Sequence, residues 1–222
     1  MNSFEEGQVI LVNKPLRWTS ADVVKKIRNR VHAKVGHAGT LDPLATGLLI
    51  LCTGKFTKKI NEYMSQEKEY TGEFTLGAVT ASYDLETEPG NQKDYSRVQA
   101  ADLEAVCSRF TGEIIQVPPI YSAIKKNGER SYDLARQGKA VTLDGRKVTI
   151  KGFEMHIEQL PRVSFRVVCS TGTYIRSLAN DVGQALGCGA YLSSLCRTRI
   201  GSYRLEDAID PESIEINIKT GS

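Results

Sequence analysis

The chain has 222 residues, of which 41% are hydrophobic and 25% are charged, and its net charge is +3. A chain of this length buries a core without disulfides or structural metals. It also lacks the run of roughly 18 apolar residues that a membrane helix needs. The acidic start, MNSFEEGQ, excludes a secretory signal, which begins with basic residues. We therefore expect a cytoplasmic protein that makes no contact with a membrane.

The predicted elements mix strands and helices along the whole chain. They are a strand at 8–12, a helix from Thr19 or Ser20 to His32, a strand at 48–52, a helix at 55–64, a strand at 68–79, a loop at 84–97, a helix at 99–110, a short helix at 132–137, strands at 147–158 and 162–170, a helix at 175–186 and a strand at 190–200. This order lacks the regular rhythm of a parallel sheet, so we expect an α+β fold. One domain over 1–222 is expected, with a central mixed, largely antiparallel sheet flanked by helices and an insertion at 118–147.

The residues that commonly hold metals, disulfides or nucleotides are not arranged to do so. None of the five cysteines forms a C-x-x-C pair, and the three histidines are scattered. Gly54-Lys55 lacks the spacing of a phosphate-binding loop, because Leu49 and Phe56 occupy the positions that need glycine and a hydroxyl. We expect free cysteines in or near the core, no metal and no cofactor.

Positive charge is concentrated in two segments. Ten Lys and Arg residues stand against two acids between Lys14 and Lys59, and eight stand against three between Lys125 and Lys151. Such asymmetry is typical of a protein with one face for a polyanion, although solvated helix faces explain it equally well. We expect the helix at 20–32 and the run 55–59 to flank the segment that contains Asp42, and the insertion to close on an RNA arm.

Asp42 lies in the glycine-rich segment GHAGTLDPLATG, residues 36–47. The following Pro43 disfavours a helical backbone at Asp42. Glycines on both sides allow sharp bends or close approach of a ligand. A carboxylate fixed at such a bend suits a nucleophile, whereas an ordinary Asp-Pro turn explains the same pattern without chemistry.

Five segments in the same order resemble the TruB family of pseudouridine synthases from about residue 7 to 206. They are KPLRWTS (14–20), VGHAGTLDPLATGLLILCTGKFTK (35–58), KEYTGEFTLGAVTASYD (68–84), PPIYSAIKKNGERSYDLARQG (118–138) and CSTGTYIRSLANDVGQALGCGAYLSSLCRTRIG (169–201). Two departures stand out. Arg17 replaces a family glycine, and the family's T-x-T-x-D element reads Thr80-Ala-Ser82-Tyr-Asp84. The chain is also expected to lack the C-terminal PUA domain of many members.

The resemblance implies isomerisation of uridine to pseudouridine, most simply uridine 55 in the T-arm loop of tRNA, by a monomer without an obligatory protein partner. It implies that Asp42 is the essential carboxylate and Arg176 its ion-pair partner. Tyr70 would stack on the flipped uracil or act as a base at C2′. It further implies four substrate-binding residues: His37, Tyr174, Leu195 and Lys14.

Three alternatives stay open at this point. The protein could bind or fold tRNA with little catalysis, or it could modify another RNA, alone or guided by a partner complex. A glycoside hydrolase would need a second carboxylate facing Asp42, and the matched motifs offer none. We also hypothesise that Arg17, a cation in place of glycine, compensates for the missing RNA-binding domain.

Overall fold

The structure is a computed structural model, and it describes residues 3–122, 125–126, 129–130 and 143–212. The short helix predicted at 132–137 lies outside these residues. The helices are α1 (Ser3–Glu6), α2 (Ser20–Val31), α3 (Ile60–Met64), α4 (Ala100–Phe110) and α5 (Ile175–Ala185), with 3-10 turns at Gly54–Lys59 and Leu205–Asp207. The strands are β1 (Val9–Lys14), β2 (Val35–His37), β3 (Ala45–Thr53), β4 (Lys68–Leu76), β5 (Gly112–Gln116), β6 (Lys125–Lys126), β7 (Glu129–Arg130), β8 (Arg146–Gln159), β9 (Arg162–Cys169), β10 (Ala190–Ile200) and β11 (Tyr203–Arg204).

The chain divides into two compact units, and β4 and β10 each contribute residues to both. The first unit is Met1–Tyr70 with Leu195–Ser222, and the second is Thr71–Ser194. In the first unit the strand order is β1-β3-β10, with β2 beside β3 and β11 beside β10. The pairing of β3 with β10 is parallel, whereas β1, β2 and β11 pair antiparallel with their neighbours. In the second unit the order is β4-β9-β8-β5. The α+β class with a mixed, largely antiparallel sheet is confirmed.

Residues 48–52 of β3 are all apolar, and both faces of the strand are buried there. Side chains alternate between the two faces of a strand. Leu49 and Leu51 pack with Val23 and Ile27 of α2 on one face. Leu48, Ile50 and Cys52 pack on the other face with Ile200 and Ala38. Burying each such side chain contributes about 1.5–3 kcal/mol, so β3 is the centre of the first unit.

Helix α2 begins at a capping box. The Thr19 side chain accepts a hydrogen bond from the Asp22 N–H, and the Asp22 carboxylate accepts one from the Thr19 N–H. Of the two residues predicted to cap this helix, Thr19 is therefore the N-cap. Ser20 does something else: its hydroxyl accepts a hydrogen bond from the Leu41 N–H at 2.9 Å. The first turn of α2 is thereby joined to the residue before Asp42.

The second unit is built on antiparallel strands with aromatic contacts. Phe74 of β4 stacks on Phe165 of β9 with ring centroids 4.1 Å apart, and it meets Phe153 of β8 edge-on. Helix α5 buries Leu178 and Val182 completely. The burial of these two side chains fixes α5 within its own unit. This position is important because Tyr174 and Arg176 lie at the start of the helix.

The basic run 55–59 does not flank Asp42, and that expectation is wrong. Asp42 lies at the start of β3, since its carbonyl accepts a hydrogen bond from the Ala45 N–H at 3.0 Å. The run follows the other end of the strand, at Thr53. Eight residue steps at about 3.3 Å separate the two ends by about 26 Å. The sequence pattern predicted a shorter strand, 48–52, and so placed the two segments too close together.

Gly47 is a position where a side chain should be destabilising. Its φ is +103°, and an added Cβ would lie 2.7 Å from the Arg197 backbone nitrogen and also against the Arg197 carbonyl oxygen. We expect Gly47→Ala to lower the free energy of unfolding by about 3 kcal/mol or more, because backbone strain and a clash between paired strands add. Urea denaturation measures this loss.

Gly152→Ala is the matched control, since Gly152 also lies in a strand but an added Cβ there meets nothing within 4 Å. Its effect should stay within about 1 kcal/mol. Equal losses for the two variants would contradict the close approach of β3 and β10.

Candidate functional site

The loop that contains Asp42 is held by backbone hydrogen bonds on both sides of that residue. Leu41 donates its N–H to the Ser20 hydroxyl at 2.9 Å. The Pro43 carbonyl accepts a hydrogen bond from the Arg17 N–H at 2.7 Å. Asp42 itself is half-buried. These bonds fix the backbone on both sides of Asp42, while part of the surface of Asp42 stays accessible to a ligand.

Lys14 lies completely buried at the end of β1, with 0% of its surface exposed. Its ammonium donates to the carbonyls of Pro15 at 3.0 Å and Trp18 at 2.6 Å. Burial lowers the pKa of Lys14 from 10.5 to about 8, with the charge of Asp42 opposing this shift and the charge of Arg197 adding to it. The ammonium is therefore an internal cation within electrostatic reach of Asp42. Its predicted contact with substrate stays a prediction.

Arg197 of β10 is a second buried cation of this site, with 1% of its surface exposed. Its Nε donates to the Leu48 carbonyl at 2.8 Å, and one terminal nitrogen donates to the Gly39 carbonyl at 3.2 Å. The guanidinium thus joins β3 to the glycine loop three residues before Asp42. Sequence reasoning missed this residue, although it stands in the family's L-x-R-x-x-x-G element. An arginine in a strand usually indicates an exposed face.

Three predicted ligand-binding residues also belong to the first unit. Leu195, 9% exposed, pairs with Ala45, three residues beyond Asp42. Tyr70 is 8% exposed at the end of β4 that belongs to this unit. The His37 Nδ1 is buried. Burial and then the charge of Arg197 lower the pKa of His37 below its usual 6.5, so the imidazole is neutral at pH 7.

In the second unit, Arg176 is 5% exposed and has an acidic partner that the sequence did not predict. Its Nε lies 3.7 Å from the Asp84 carboxylate, and its Nη1 donates to the Ser82 carbonyl at 3.3 Å. Asp84 in turn accepts hydrogen bonds from the Ser82 hydroxyl at 2.6 Å and the Glu86 N–H at 2.9 Å. This network orients the guanidinium. The predicted ion pair between Arg176 and Asp42 stays a prediction.

Tyr174, directly before α5, is also held in place. Its N–H donates to the Gln116 side chain at 2.7 Å, and the Arg146 guanidinium lies over its ring at 4.6 Å. A ring already paired with a cation presents its other face and edge to a ligand. The position of Tyr174 fits the predicted aromatic wall but does not test it.

The described residues form neither a metal-binding cluster nor a membrane-spanning helix. Within the described ranges, no group of three or more His, Cys, Asp or Glu side chains is arranged to hold a metal ion. The five cysteines are free, four of them buried and Cys196 half-buried, as predicted. None of the described helices has the length and apolar character needed to cross a membrane.

Two family descriptions match consecutive parts of the chain. Residues 25–175 match "TruB family pseudouridylate synthase (N terminal domain)". Residues 176–219 match "tRNA pseudouridylate synthase B C-terminal domain". Together the two matches include every predicted site residue except Lys14, which lies before them.

Curated relatives match over nearly their whole length. The tRNA pseudouridine synthase B of Flavobacterium johnsoniae is 52% identical over 213 residues, which are 92% of this chain and 93% of that protein. The protein of the same name from Phocaeicola vulgatus is 48% identical over 218 residues, which are 95% of this chain and 93% of that protein.

Solved structures with a similar fold belong to larger proteins. A chain of "Crystal Structure of a Cbf5-Nop10-Gar1 Complex" has a TM-score of 0.72 and 32% identity, covering 93% of this chain and 53% of that one. A chain of "Structure of H/ACA RNP bound to a substrate RNA containing 2'-deoxyuridine" has a TM-score of 0.69 and 30% identity, covering 94% and 52%. This chain therefore spans about half of each.

The buried ammonium of Lys14 should leave a signature in the pH dependence of stability. The pKa of Lys14 is about 8 in the folded protein and 10.5 for an ordinary lysine, which represents the unfolded chain. Between pH 8 and 10.5 the unfolded chain therefore binds more protons than the folded protein does. Stability of the wild type relative to Lys14→Met should therefore rise between pH 8 and 10, by at most about 1.4 kcal/mol per pH unit.

Urea denaturation of both proteins at several pH values measures this difference. Lys25→Met, which removes an exposed lysine of α2, is the control for charge loss at the surface. If the difference between wild type and Lys14→Met stays constant from pH 7 to 10, the ammonium does not titrate as described.

Proposed function

The chain belongs to the TruB family of pseudouridylate synthases, and from this membership we propose that it converts uridine 55 in the T-arm loop of tRNA to pseudouridine. Relatives named tRNA pseudouridine synthase B match over 93% of their length, which supports a tRNA substrate. The observation that carries the proposal is Asp42, in a loop fixed on both sides beside a buried cation. We place the reaction in the cytoplasm and assign it to a monomer.

The reaction exchanges one bond of the nucleoside for another. The bond between N1 and C1′ breaks, the uracil turns in place, and C5 bonds to C1′. The C5 proton is released, and N1 takes up a proton, so no cofactor is consumed. Asp42 serves as the essential carboxylate, by attack on C1′, by attack on C6, or through a glycal intermediate.

Two cations are assigned to Asp42. The Lys14 ammonium lies within electrostatic reach and is itself stabilised by the Asp42 charge. Arg176 is assigned as the ion-pair partner, and at about 4 Å with an effective dielectric constant near 20 such a pair is worth about 4 kcal/mol before desolvation. The Arg176 guanidinium donates a hydrogen bond to the Ser82 carbonyl and lies beside the Asp84 carboxylate, and these two contacts hold it in one orientation.

The remaining side chains receive the flipped nucleotide. Tyr70 stacks on the uracil or takes a proton from C2′, while Tyr174 and Leu195 line the same pocket. His37 fills the gap that the base leaves in the RNA. A neutral imidazole suits this role, because it stacks without the cost of burying a charge. Base extrusion costs a few kcal/mol, which the inserted ring partly offsets.

Asp42→Asn should abolish catalysis while leaving the shape of the loop unchanged. With tRNA carrying tritium at uridine C5, the wild type should release tritium. The rate of release by Asp42→Asn should be at least about 1,000-fold lower. Asp94→Asn is the matched control, since Asp94 is an exposed aspartate that caps a turn at Ser96.

Each outcome of this experiment has a meaning. Release by the wild type and Asp94→Asn alone supports the proposal. Equal release by Asp42→Asn rejects Asp42 as the essential group. If the wild type binds tRNA but releases no tritium, the protein is a tRNA-binding or tRNA-folding protein instead.

Arg17 offers a separate test of RNA binding next to Asp42. Its φ is +67°, a conformation that costs a non-glycine residue roughly 1–2 kcal/mol. Its side chain is exposed, while its backbone bonds to Pro43. Arg17→Gly should therefore be at least as stable as the wild type to urea, yet bind tRNA less tightly, with turnover at saturation unchanged.

Arg17→Lys is the control, because it keeps the charge and the strain. It should retain most of the affinity, as measured by fluorescence anisotropy with labelled tRNA. Unchanged affinity in Arg17→Gly would show that the arginine does not contribute to RNA binding.

A further inference from the structure

We propose that a basic groove at the end of α2 remote from Asp42 binds the phosphate backbone of tRNA outside the T-arm loop; this rests on the proposed function above. The groove, called here the distal groove, has a volume of about 1070 Å³. Its charged and polar lining is Arg28, Asn29, His32, Lys34, Lys55, Thr57 and Lys58, with Glu5 as the one acid among the described lining residues.

Three chain segments build the distal groove, and local structure fixes each of them. Helix α2 ends at His32, whose φ is +50° and whose N–H donates to the Arg28 carbonyl at 3.0 Å. The next turn is tied to the end of β3, because the Gly54 N–H donates to the Lys34 carbonyl at 2.8 Å. The 3-10 turn is closed by the Thr57 hydroxyl, which donates to the Gly54 carbonyl at 2.8 Å.

Among the described residues, no ion pair neutralises the four exposed cations of the distal groove. Arg28, Lys34, Lys55 and Lys58 are all exposed, and none of them forms an ion pair with another described residue. Four cations around one groove raise its positive potential and attract a polyanion. A nucleic-acid backbone is favoured over a membrane surface, because the described lining residues include no large apolar side chain that would insert into lipid.

The distance to Asp42 determines which part of the RNA the distal groove can reach. Helix α2 starts beside Leu41 through the Ser20 bond and ends at the groove, about 17 Å away at 1.5 Å per residue. Strand β3 starts near Asp42 and ends at the groove, about 26 Å away. A separation of roughly 20 Å corresponds to about six nucleotides at about 3.4 Å along one strand. The groove therefore contacts nucleotides beyond the target loop.

The test compares two RNAs and two triple variants. K34Q/K55Q/K58Q removes three charges from the distal groove, and K93Q/R97Q/R162Q removes three exposed charges from the second unit as a control. Fluorescence anisotropy gives Kd for full tRNA and for an isolated T-arm stem-loop at salt concentrations from 50 to 200 mM. Circular dichroism and urea denaturation verify that each variant is folded.

We expect K34Q/K55Q/K58Q to bind full tRNA at least about tenfold more weakly, with a salt slope smaller by about 2–3, because each lost phosphate contact removes roughly one unit. Its affinity for the stem-loop should stay within about twofold of the wild type. The control triple should stay within about twofold on both RNAs.

Three results would overturn the proposal: unchanged tRNA affinity in the groove variant, an equal loss on the stem-loop, or an equal loss in the control triple. Tritium release from saturating stem-loop is measured in parallel. If the wild type releases none, the proposed function fails, while the affinities still decide whether the distal groove binds tRNA.

Discussion

The buried ammonium of Lys14 is the interaction on which the Asp42 loop depends. A buried charge needs partners, because removing it from water without them costs several kcal/mol. Lys14 finds them in the carbonyls of Pro15 and Trp18 and in the charge of Asp42. The segment that supplies these carbonyls also supplies Arg17, which bonds to Pro43, and Ser20, which bonds to Leu41. One buried cation thus links the end of β1, the start of α2 and the loop.

Arg197 completes this arrangement from β10. It donates to Gly39 and Leu48, which lie on either side of Asp42 in the sequence. The Arg197 backbone also lies against Gly47, so a side chain at position 47 would clash with it. The Arg197 side chain therefore connects the loop that contains Asp42 to strands β3 and β10. We expect a substitution at Arg197 or Gly47 to disturb the position of Asp42.

Hydrophobic periodicity predicted α2 and α5 well, because each helix buries one regular face. Local sequence also predicted a helix cap at Thr19 or Ser20, and it predicted the free, mostly buried cysteines. The partner of Arg176 could not be predicted, since Asp84 lies far away in the chain and only folding brings the two together. The burial of Arg197 could not be predicted, because a buried arginine in a strand has the same sequence signal as an exposed one.

The length of β3 was the other limit of the sequence reading. The sequence pattern does not indicate a strand at Ala45–Gly47, because glycine usually weakens a strand and residue 47 is a glycine. The structure includes these residues in β3. As a result, the basic run after β3 lies far from Asp42, where it lines the distal groove instead of the candidate active site.

The proposed reaction occurs at one nucleotide, and mapping that nucleotide tests the proposal most directly. A tRNA transcript incubated with the protein is treated with carbodiimide, which marks pseudouridine, and reverse transcription locates the mark. We predict a single mark at position 55, and none in a transcript with cytidine at that position. A mark elsewhere, or no mark with folded protein, would contradict this assignment.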